Sequence, residues 1–190
     1  MIVSLVAVGK DYNNQLTFAL DFFKEYDICL LGDIERDDVF YFEKYNKVKF
    51  SYFDKLYFSL SMVDKFKRDV FYVDVNKISD VFLDFEKNKL FYHRKHWPFG
   101  NTLQDYLMYD FFNPLIENWV DSDVDFTQLL AIGETELFFN KKLDVKSIIK
   151  HLEIIQPIFR EMSTTKPTYT GYDNAEGIAL SYALKKCNII

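Results

Sequence analysis

An Asp and an Asn two residues apart are the first candidates for chemistry in this chain. Asp74 and Asn76 follow the apolar run Val70–Val73, which is short enough for a strand and too short for a typical helix. An unbroken run of this kind is typical of a strand covered on both faces, as in a parallel sheet. If the extended conformation continues, both polar side chains point to the same side. Oxygen donors at such a place suit Mg²⁺ or Mn²⁺ shared with a ligand's phosphates.

The same tripeptide also has a simpler interpretation. Asp and Asn are common turn residues, so Asp74 and Asn76 alone are weak evidence for a metal site. Their place in the fold carries more weight, because open α/β sheets bind ligands beyond the carboxyl ends of their strands.

The elements that would position this motif follow from hydrophobic periodicity. Residues 2–8 predict a first strand closed by Gly9, residues 13–25 a helix, and residues 27–31 a second strand. A strand, a helix and a strand in so short a stretch imply a parallel pair. A second helix over residues 52–66, begun by a Ser-x-x-acid capping box, then leads into the strand before Asp74.

The rest of the chain is less regular. Residues 34–50 hold two short apolar runs that fit strand or helix equally well. Further helices are predicted over residues 103–119, 144–159 and 173–186, and further strands over 127–132 and 134–140. The alternation of strands and helices predicts an α/β fold, as a single Rossmann-like domain with a mostly parallel central sheet flanked by helices.

Composition excludes several classes of function. The net charge of −6 argues against nucleic-acid binding, which needs basic surface to neutralise phosphates. No apolar run reaches membrane-spanning length, and the N-terminus lacks a signal-peptide pattern. The two cysteines lack metal-ligand spacing and indicate reduced thiols in a cytoplasmic protein. The many residues with A/T-rich codons are typical of a low-GC genome such as that of many viruses and phages.

Five segments together carry a resemblance to a known family. They are Ser4-Leu-Val-Ala-Val-Gly9, Phe53-Asp-Lys-Leu56, Tyr72-Val-Asp-Val-Asn76, Ala131-Ile-Gly-Glu-Thr-Glu-Leu-Phe-Phe-Asn140 and Gly171-Tyr-Asp-Asn-Ala-Glu-Gly-Ile178. In this order and spacing the chain resembles the nucleotide-sugar-dependent glycosyltransferases of the GT-A fold, within the nucleotide-diphospho-sugar transferase superfamily. The resemblance spans nearly the whole chain and implies one GT-A-like domain over residues 1–190. Its nucleotide-binding half would cover about residues 1–80 and its acceptor-side half about residues 81–190.

The resemblance implies a donor site for a nucleotide-diphosphate sugar. Val8, Gly9 and Tyr12 would hold the base and ribose, and Asp33 would face the nucleotide. Gly9 fits a close approach of the ligand and a simple turn of the chain equally well. Gly133 matches the family's glycine beside the donor sugar.

The resemblance also implies how the diphosphate is held. Asp74 and Asn76 match the family's Asp-x-Asp metal motif, with Mn²⁺ or Mg²⁺ as the ion. The Asn departs from the motif and supplies a neutral oxygen, which lowers the expected metal affinity. Lys55 would offset the diphosphate charge, although an exposed helical Lys is the more common case.

On the acceptor side, Asp173 and Glu176 match the acidic motif of the family's last catalytic helix. A carboxylate there acts as base on the acceptor hydroxyl or positions the sugar. The same pair fits a capping box, with Asp173 as N-cap and Glu176 at N3.

The implied function is sugar transfer to a glycan, a protein or a small-molecule acceptor. Two alternatives stay open. A nucleotidyltransferase would need a Gly-rich phosphate loop after the first strand, and Gly9-Lys-Asp-Tyr12 matches one poorly. A non-catalytic or degenerate nucleotide-sugar-binding protein could use the same scaffold, because fold does not fix function.

Overall fold

The structure is a computed structural model. The chain forms two compact units, and each is described by itself. The first unit comprises Met1–Arg94 and Thr135–Val145, and the second comprises Lys95–Glu134 and Lys146–Ile190. The structure describes residues 1–47, 50–78, 89–94, 102, 121, 123–130, 132, 133, 135–165 and 176–190. The helix predicted over residues 103–119 and the candidate residue Asp173 lie outside these ranges.

The first unit is an α/β structure built on one six-stranded sheet. Its elements are β1 (Ile2–Ala7), α1 (Lys10–Phe22), β2 (Asp27–Gly32), β3 (Tyr41–Lys44), α2 (Phe53–Phe66), β4 (Val70–Val73), β5 (Phe91–His93) and β6 (Glu136–Phe139). The strands lie in the order β3-β2-β1-β4-β6-β5. Neighbours from β3 to β4 pair in parallel, and β6 pairs antiparallel with both β4 and β5. The predicted α/β class is confirmed, and the described sheet is mixed, with β6 as its reversed strand.

The two helices of the first unit cover opposite faces of the sheet. Alternate side chains of the strands pack with Leu16 and Ala19 of α1, and with Phe23 just after it, in one buried cluster that includes Val3 and Leu5 of β1. Ser4 points to the other face, where its Oγ lies 2.9 Å from Oγ of Ser59 on α2. Because both faces are covered, β1, β2 and β4 are buried along nearly their whole length, which is why they are unbroken apolar runs.

Helix α2 begins where side chains and backbone satisfy its first turn. The backbone N–H of Ser51 donates to Asp54 Oδ2 over 3.0 Å, which is one of the two bonds of the predicted capping box. Asp54 is buried and also accepts hydrogen bonds from the hydroxyl of Tyr45 and the ammonium of Lys47. Burial and the bond to Asp54 raise the pKa of Tyr45 to about 12. The helix ends at Lys67, whose left-handed φ of 53° stops the helical path.

The described part of the second unit contains two helices. Helix α3 (Val145–Thr165) enters it from the first unit at Lys146, and helix α4 (Glu176–Lys186) follows. A short 3₁₀ turn spans Phe126–Gln128. The strand predicted over residues 127–132 is therefore wrong at its start. The Asp125 carboxylate accepts hydrogen bonds from the backbone N–H and hydroxyl of Thr127, which favours a turn over an extended chain.

Over the described part of the chain, no helix combines the length and apolar character needed to cross a membrane.

Candidate functional site

The topology of the first unit singles out one edge of the sheet. The strand order reverses at β1, because β2 and β3 lie on one side of it and β4 lies on the other. In open α/β sheets the ligand crevice lies outside the carboxyl ends of the strands at such a reversal. Val8 and Gly9 follow β1, Asp33 follows β2, and Asp74 follows β4. Four of the predicted site residues therefore lie at the edge where this rule places a ligand.

Gly9 turns the chain from β1 into α1. Its φ is +92°, a conformation that residues with a Cβ rarely adopt. A Cβ built at this position would meet no atom within 4 Å, so open space adjoins the backbone here. Gly9 therefore makes the turn, and open space adjoins its backbone. Val8 is half-buried, and Tyr12 in the first turn of α1 is exposed.

The structure brings Gly9 and Asp33 into direct contact. The backbone N–H of Gly9 donates to Asp33 Oδ2 over 3.0 Å. The amide of Asn13 donates to Asp33 Oδ1 over 2.8 Å and to the carbonyl of Gly9 over 2.9 Å. The hydrogen bond from Asn13 is the main cause that lowers the pKa of Asp33, and the Gly9 N–H acts in the same direction. Asp33 is thus a fixed, exposed carboxylate at the carboxyl edge of the sheet.

Asp74 is held at the end of β4 by its backbone. Its N–H donates to the carbonyl of Thr135 over 2.9 Å, and its carbonyl accepts from the N–H of Lys77 over 2.9 Å. The second bond closes a β-turn, so the extended conformation ends at Asp74. The alternation that would place Asp74 and Asn76 on one side therefore does not apply. Instead Asp74 is half-buried, Val75 is buried, and Asn76 lies exposed on the turn.

Lys55 on α2 is buried, contrary to the common case for a helical Lys. Only 4% of it is exposed, and its Nζ lies 5.5 Å from the ring centroid of Tyr52 and 5.7 Å from that of Tyr72. The hydroxyl of Tyr72 in turn donates to Oδ1 of Asp74. A series of contacts thus joins Lys55 to the proposed metal ligand through one aromatic ring. The sequence prediction did not include Tyr72, although its spacing from Asp74 places both on one side of the strand's end.

The donor atoms at Asp74 fit a cation that brings other ligands with it. In the described ranges, no group of three or more His, Cys, Asp or Glu residues could hold a metal ion alone. Asp74 Oδ1 accepts from Tyr72, and Oδ2 receives no hydrogen bond from the described residues. One carboxylate oxygen is a sparse protein ligation, which suits Mg²⁺ when phosphates and water supply its other ligands.

Glu136 on β6 is a buried carboxylate that was not among the candidate residues predicted from the sequence. It lies opposite Val73, one residue before Asp74. Glu136 pairs across the sheet with Val73, and its residue is fully buried. Its Oε1 accepts from Arg94 Nη1 over 2.7 Å, whereas its Oε2 is buried without a hydrogen-bond partner among the described residues. Glu136 shares the sheet face of Val73, so it points away from Tyr72. A Glu within an apolar strand was the only sequence signal.

The remaining candidates lie in the second unit. Glu176 begins α4 and is 1% exposed, and Gly133 is buried in a segment that is neither helix nor strand. Because Asp173 is outside the described residues, the capping box it would form with Glu176 is not tested.

The second unit also contains a polar network that was not predicted. The hydroxyl of Tyr182 donates to Asp121 Oδ2 over 2.7 Å, and Lys186 Nζ lies 3.0 Å from the same oxygen. The bond from Tyr182 lowers the pKa of Asp121, and burial raises the pKa of Tyr182. His151 packs edge-on against the Tyr182 ring, and burial lowers its pKa. These contacts join α4 to Asp121 and α3.

Comparison of the chain with protein-family models, with curated proteins and with solved structures found no match.

Proposed function

We propose that this chain is a glycosyltransferase of the GT-A type, which moves a sugar from a nucleotide-diphosphate sugar to a glycan, a protein or a small-molecule acceptor. One observation carries the proposal. The neighbouring parallel strands β2, β1 and β4 end at one edge in Asp33, Gly9 and Asp74, where the strand order reverses. That edge is the ligand site of open α/β sheets, and its residues suit the parts of a nucleotide-diphosphate sugar.

The nucleoside would bind at the ends of β1 and β2. The open space beside Gly9 admits a flat group close to the backbone, and the exposed ring of Tyr12 is available to stack on a base. The fixed carboxylate of Asp33 retains lone pairs for ribose hydroxyls, a role that acidic residues after the second strand take in dinucleotide-binding folds. Val8 would line the same position.

The diphosphate would bind at the end of β4. Asp74 and Asn76 would hold Mn²⁺ or Mg²⁺, which when bound neutralises the charge that develops on the diphosphate leaving group. The buried ammonium of Lys55 adds positive charge beneath this edge, where low solvent access makes it more effective than a surface charge. Gly133, which the resemblance assigns to the donor sugar, lies in the second unit.

The contacts of Gly9 disfavour the nucleotidyltransferase alternative. A phosphate loop after the first strand needs free backbone N–H groups at the start of α1. The N–H of Gly9 already donates to the Asp33 carboxylate, whose negative charge repels a phosphate from this position.

The acceptor chemistry is assigned to the second unit. Glu176, with Asp173 beside it in sequence, would take the proton of the acceptor hydroxyl or position the sugar. Glu176 begins α4 and its side chain is buried, with 1% exposed.

Thermal-shift measurements test donor binding. The wild-type protein is heated with a panel of nucleoside diphosphates and their sugars, with and without Mn²⁺. A donor at 100 times its dissociation constant stabilises the fold by about 2.7 kcal/mol and raises the midpoint. We expect one nucleotide class to raise it, and its sugar conjugate to do so more strongly with Mn²⁺. A midpoint unmoved by every nucleotide and sugar would contradict the proposal.

Glu176→Gln tests whether the chain is an enzyme. The substitution removes the charge and keeps the size and the capping ability of the residue. We expect an unchanged melting midpoint, retained donor binding, and transfer at least tenfold slower, the cautious end of the range for a general base. Glu153→Gln, an exposed position on α3, is the matched control. Donor binding without any transfer by the wild type would favour the non-catalytic alternative instead.

A further inference from the structure

Tyr72 is a core residue with one polar atom placed at the proposed metal site. It lies on the central strand β4, is 2% exposed, and donates its hydroxyl hydrogen to Asp74 Oδ1. Residues two apart on a strand share a side, so the ring of Tyr72 lies beneath the carboxylate that follows it. A buried Tyr hydroxyl needs an acceptor, and here the acceptor is the proposed metal ligand.

Backbone hydrogen bonds fix the main chain of Asp74 independently of Tyr72. The backbone N–H bonds to Thr135 and the carbonyl accepts from Lys77, so the main chain has little freedom. The hydroxyl of Tyr72 then selects one orientation of the carboxylate and occupies Oδ1. The conformational entropy of ordering that side chain is lost on folding and not on ligand binding, which favours binding.

Lys55 strengthens the same hydrogen bond. Its Nζ lies 5.7 Å from the centroid of the Tyr72 ring, within the range of a cation–π contact. A cation over the ring draws electron density from it, and this makes the phenol a stronger donor to the carboxylate. Hydrogen bonds to charged acceptors are already about twice as strong as neutral ones.

We propose that Tyr72 is a positioning residue for a divalent cation and its diphosphate, because its hydroxyl holds the Asp74 carboxylate with Oδ2 directed to the ion. This rests on the proposed function, since it requires a cation bound at Asp74. Partners of metal ligands that orient them in this way are typically worth 10–100-fold in metal affinity.

The test compares Mn²⁺ affinity in the wild type and Tyr72→Phe. Binding is followed by the electron paramagnetic resonance signal of free Mn²⁺, with Mn²⁺ alone and with inorganic pyrophosphate. We expect Tyr72→Phe to weaken Mn²⁺ binding about 10–100-fold. Phe keeps the ring under Lys55 and almost the whole side-chain volume, and circular dichroism checks that the variant is folded at the temperature used.

Tyr41→Phe is a closely matched control. Tyr41 also donates to a carboxylate two residues later, Glu43, and also lies under a lysine of α2, with Lys65 Nζ 3.6 Å from its ring centroid. These residues are in the exposed edge strand β3, away from the reversal of strand order at β1. We expect Tyr41→Phe to bind Mn²⁺ as the wild type does.

The outcomes separate this inference from the function on which it rests. Mn²⁺ binding by the wild type with equal affinity in folded Tyr72→Phe would overturn the role of Tyr72 alone. Failure of the wild type to bind Mn²⁺, with pyrophosphate or without it, would overturn the proposed metal site and the role of Tyr72 together. A purely structural Tyr72 would lower the melting midpoint and leave Mn²⁺ affinity unchanged.

Discussion

Helix α2 contributes to two similar sets of contacts with different surroundings. In each set a lysine lies over a tyrosine ring, and the tyrosine hydroxyl donates to a carboxylate two residues further along the chain. The inner triad consists of Lys55, Tyr72 and Asp74, and the outer triad consists of Lys65, Tyr41 and Glu43. The local contacts are alike, so whatever distinguishes the two triads comes from where the fold places them.

Burial and position in the sheet separate the triads. Lys55 and Tyr72 are 4% and 2% exposed, whereas Lys65 and Glu43 are exposed on the surface. Asp74 follows the last residue of the central strand β4, while Glu43 lies within the edge strand β3. Exposed charge pairs contribute about 0–1 kcal/mol and are screened by salt, and a partly buried set is screened much less. The local contacts of Asp74 and Glu43 are alike, so it is the position of Asp74 after β4 that makes it the candidate metal ligand.

The largest expected effect concerns the two carboxylates. Asp74→Ala removes the charged ligand of the proposed cation and should weaken Mn²⁺ binding more than 100-fold, beyond the 10–100-fold typical of supporting residues. Glu43→Ala should leave Mn²⁺ affinity unchanged. Calorimetric titration of Mn²⁺ in the presence of pyrophosphate measures both. Equal affinities for Asp74→Ala and Glu43→Ala would remove the functional distinction between the triads.

The two lysines give the next effect. Lys55→Met keeps a long side chain and removes the charge beneath the proposed diphosphate site. Hydrogen bonds and contacts with charged groups are worth about 1.5–3 kcal/mol, so we expect pyrophosphate binding without metal to weaken about 10–100-fold. Lys65→Met, which loses an exposed charge from the same helix, should change it less than twofold. A larger loss in Lys65→Met would place the anion at the outer triad.

The sheet was predicted best where burial is complete. The strands β1, β2 and β4 are covered on both faces, so each forms an unbroken apolar run that sequence identifies directly. The edge strand β3 is half-exposed and was left undecided between strand and helix, because the short apolar run over residues 39–42 fits either element. Helix α1 occupies residues 10–22 where 13–25 was predicted, since Gly9 starts the helix directly after β1 and the exposed positions near its start carry no periodic signal.

The candidate site was predicted in its positions and not in its contacts. Strand ends can be located from hydrophobic runs, so the places of Asp33 after β2 and of Asp74 after β4 were predictable. The burial of Lys55 was not predictable, because α2 is buried on most of its surface and hydrophobic spacing does not show which polar residue lies inside. Tyr72 was counted as core, since a sequence does not show whether a buried hydroxyl has a charged acceptor.

Asn76 offers a smaller effect in the opposite direction. Asn76→Asp adds a negative charge to the exposed turn after Asp74, and a carboxylate binds a hard cation more tightly than an amide does. We expect Mn²⁺ affinity to rise about tenfold in calorimetric titration with nucleotide present, which corresponds to about 1.4 kcal/mol. Asn46→Asp, exposed just after β3, controls for net charge and should leave affinity unchanged. Unchanged or weaker binding in Asn76→Asp would mean that this side chain does not touch the ion.

The smallest expected effect is on the stability of the fold. Tyr72→Phe removes a hydrogen bond from a buried hydroxyl to a half-buried carboxylate, which regains water in the variant. We therefore expect a loss of about 1 kcal/mol, below the 1.5–3 kcal/mol typical of bonds to charged groups. Tyr41→Phe removes an exposed bond, whose donor and acceptor both regain water, and should cost less than about 0.5 kcal/mol. Urea unfolding measures both free energies, provided that the slope with denaturant is unchanged. A loss of several kcal/mol in Tyr72→Phe would show that the main role of the inner triad is to stabilise the fold. If both variants lose equally little free energy of unfolding and only Tyr72→Phe binds Mn²⁺ more weakly, then the hydroxyl of Tyr72 serves Mn²⁺ binding.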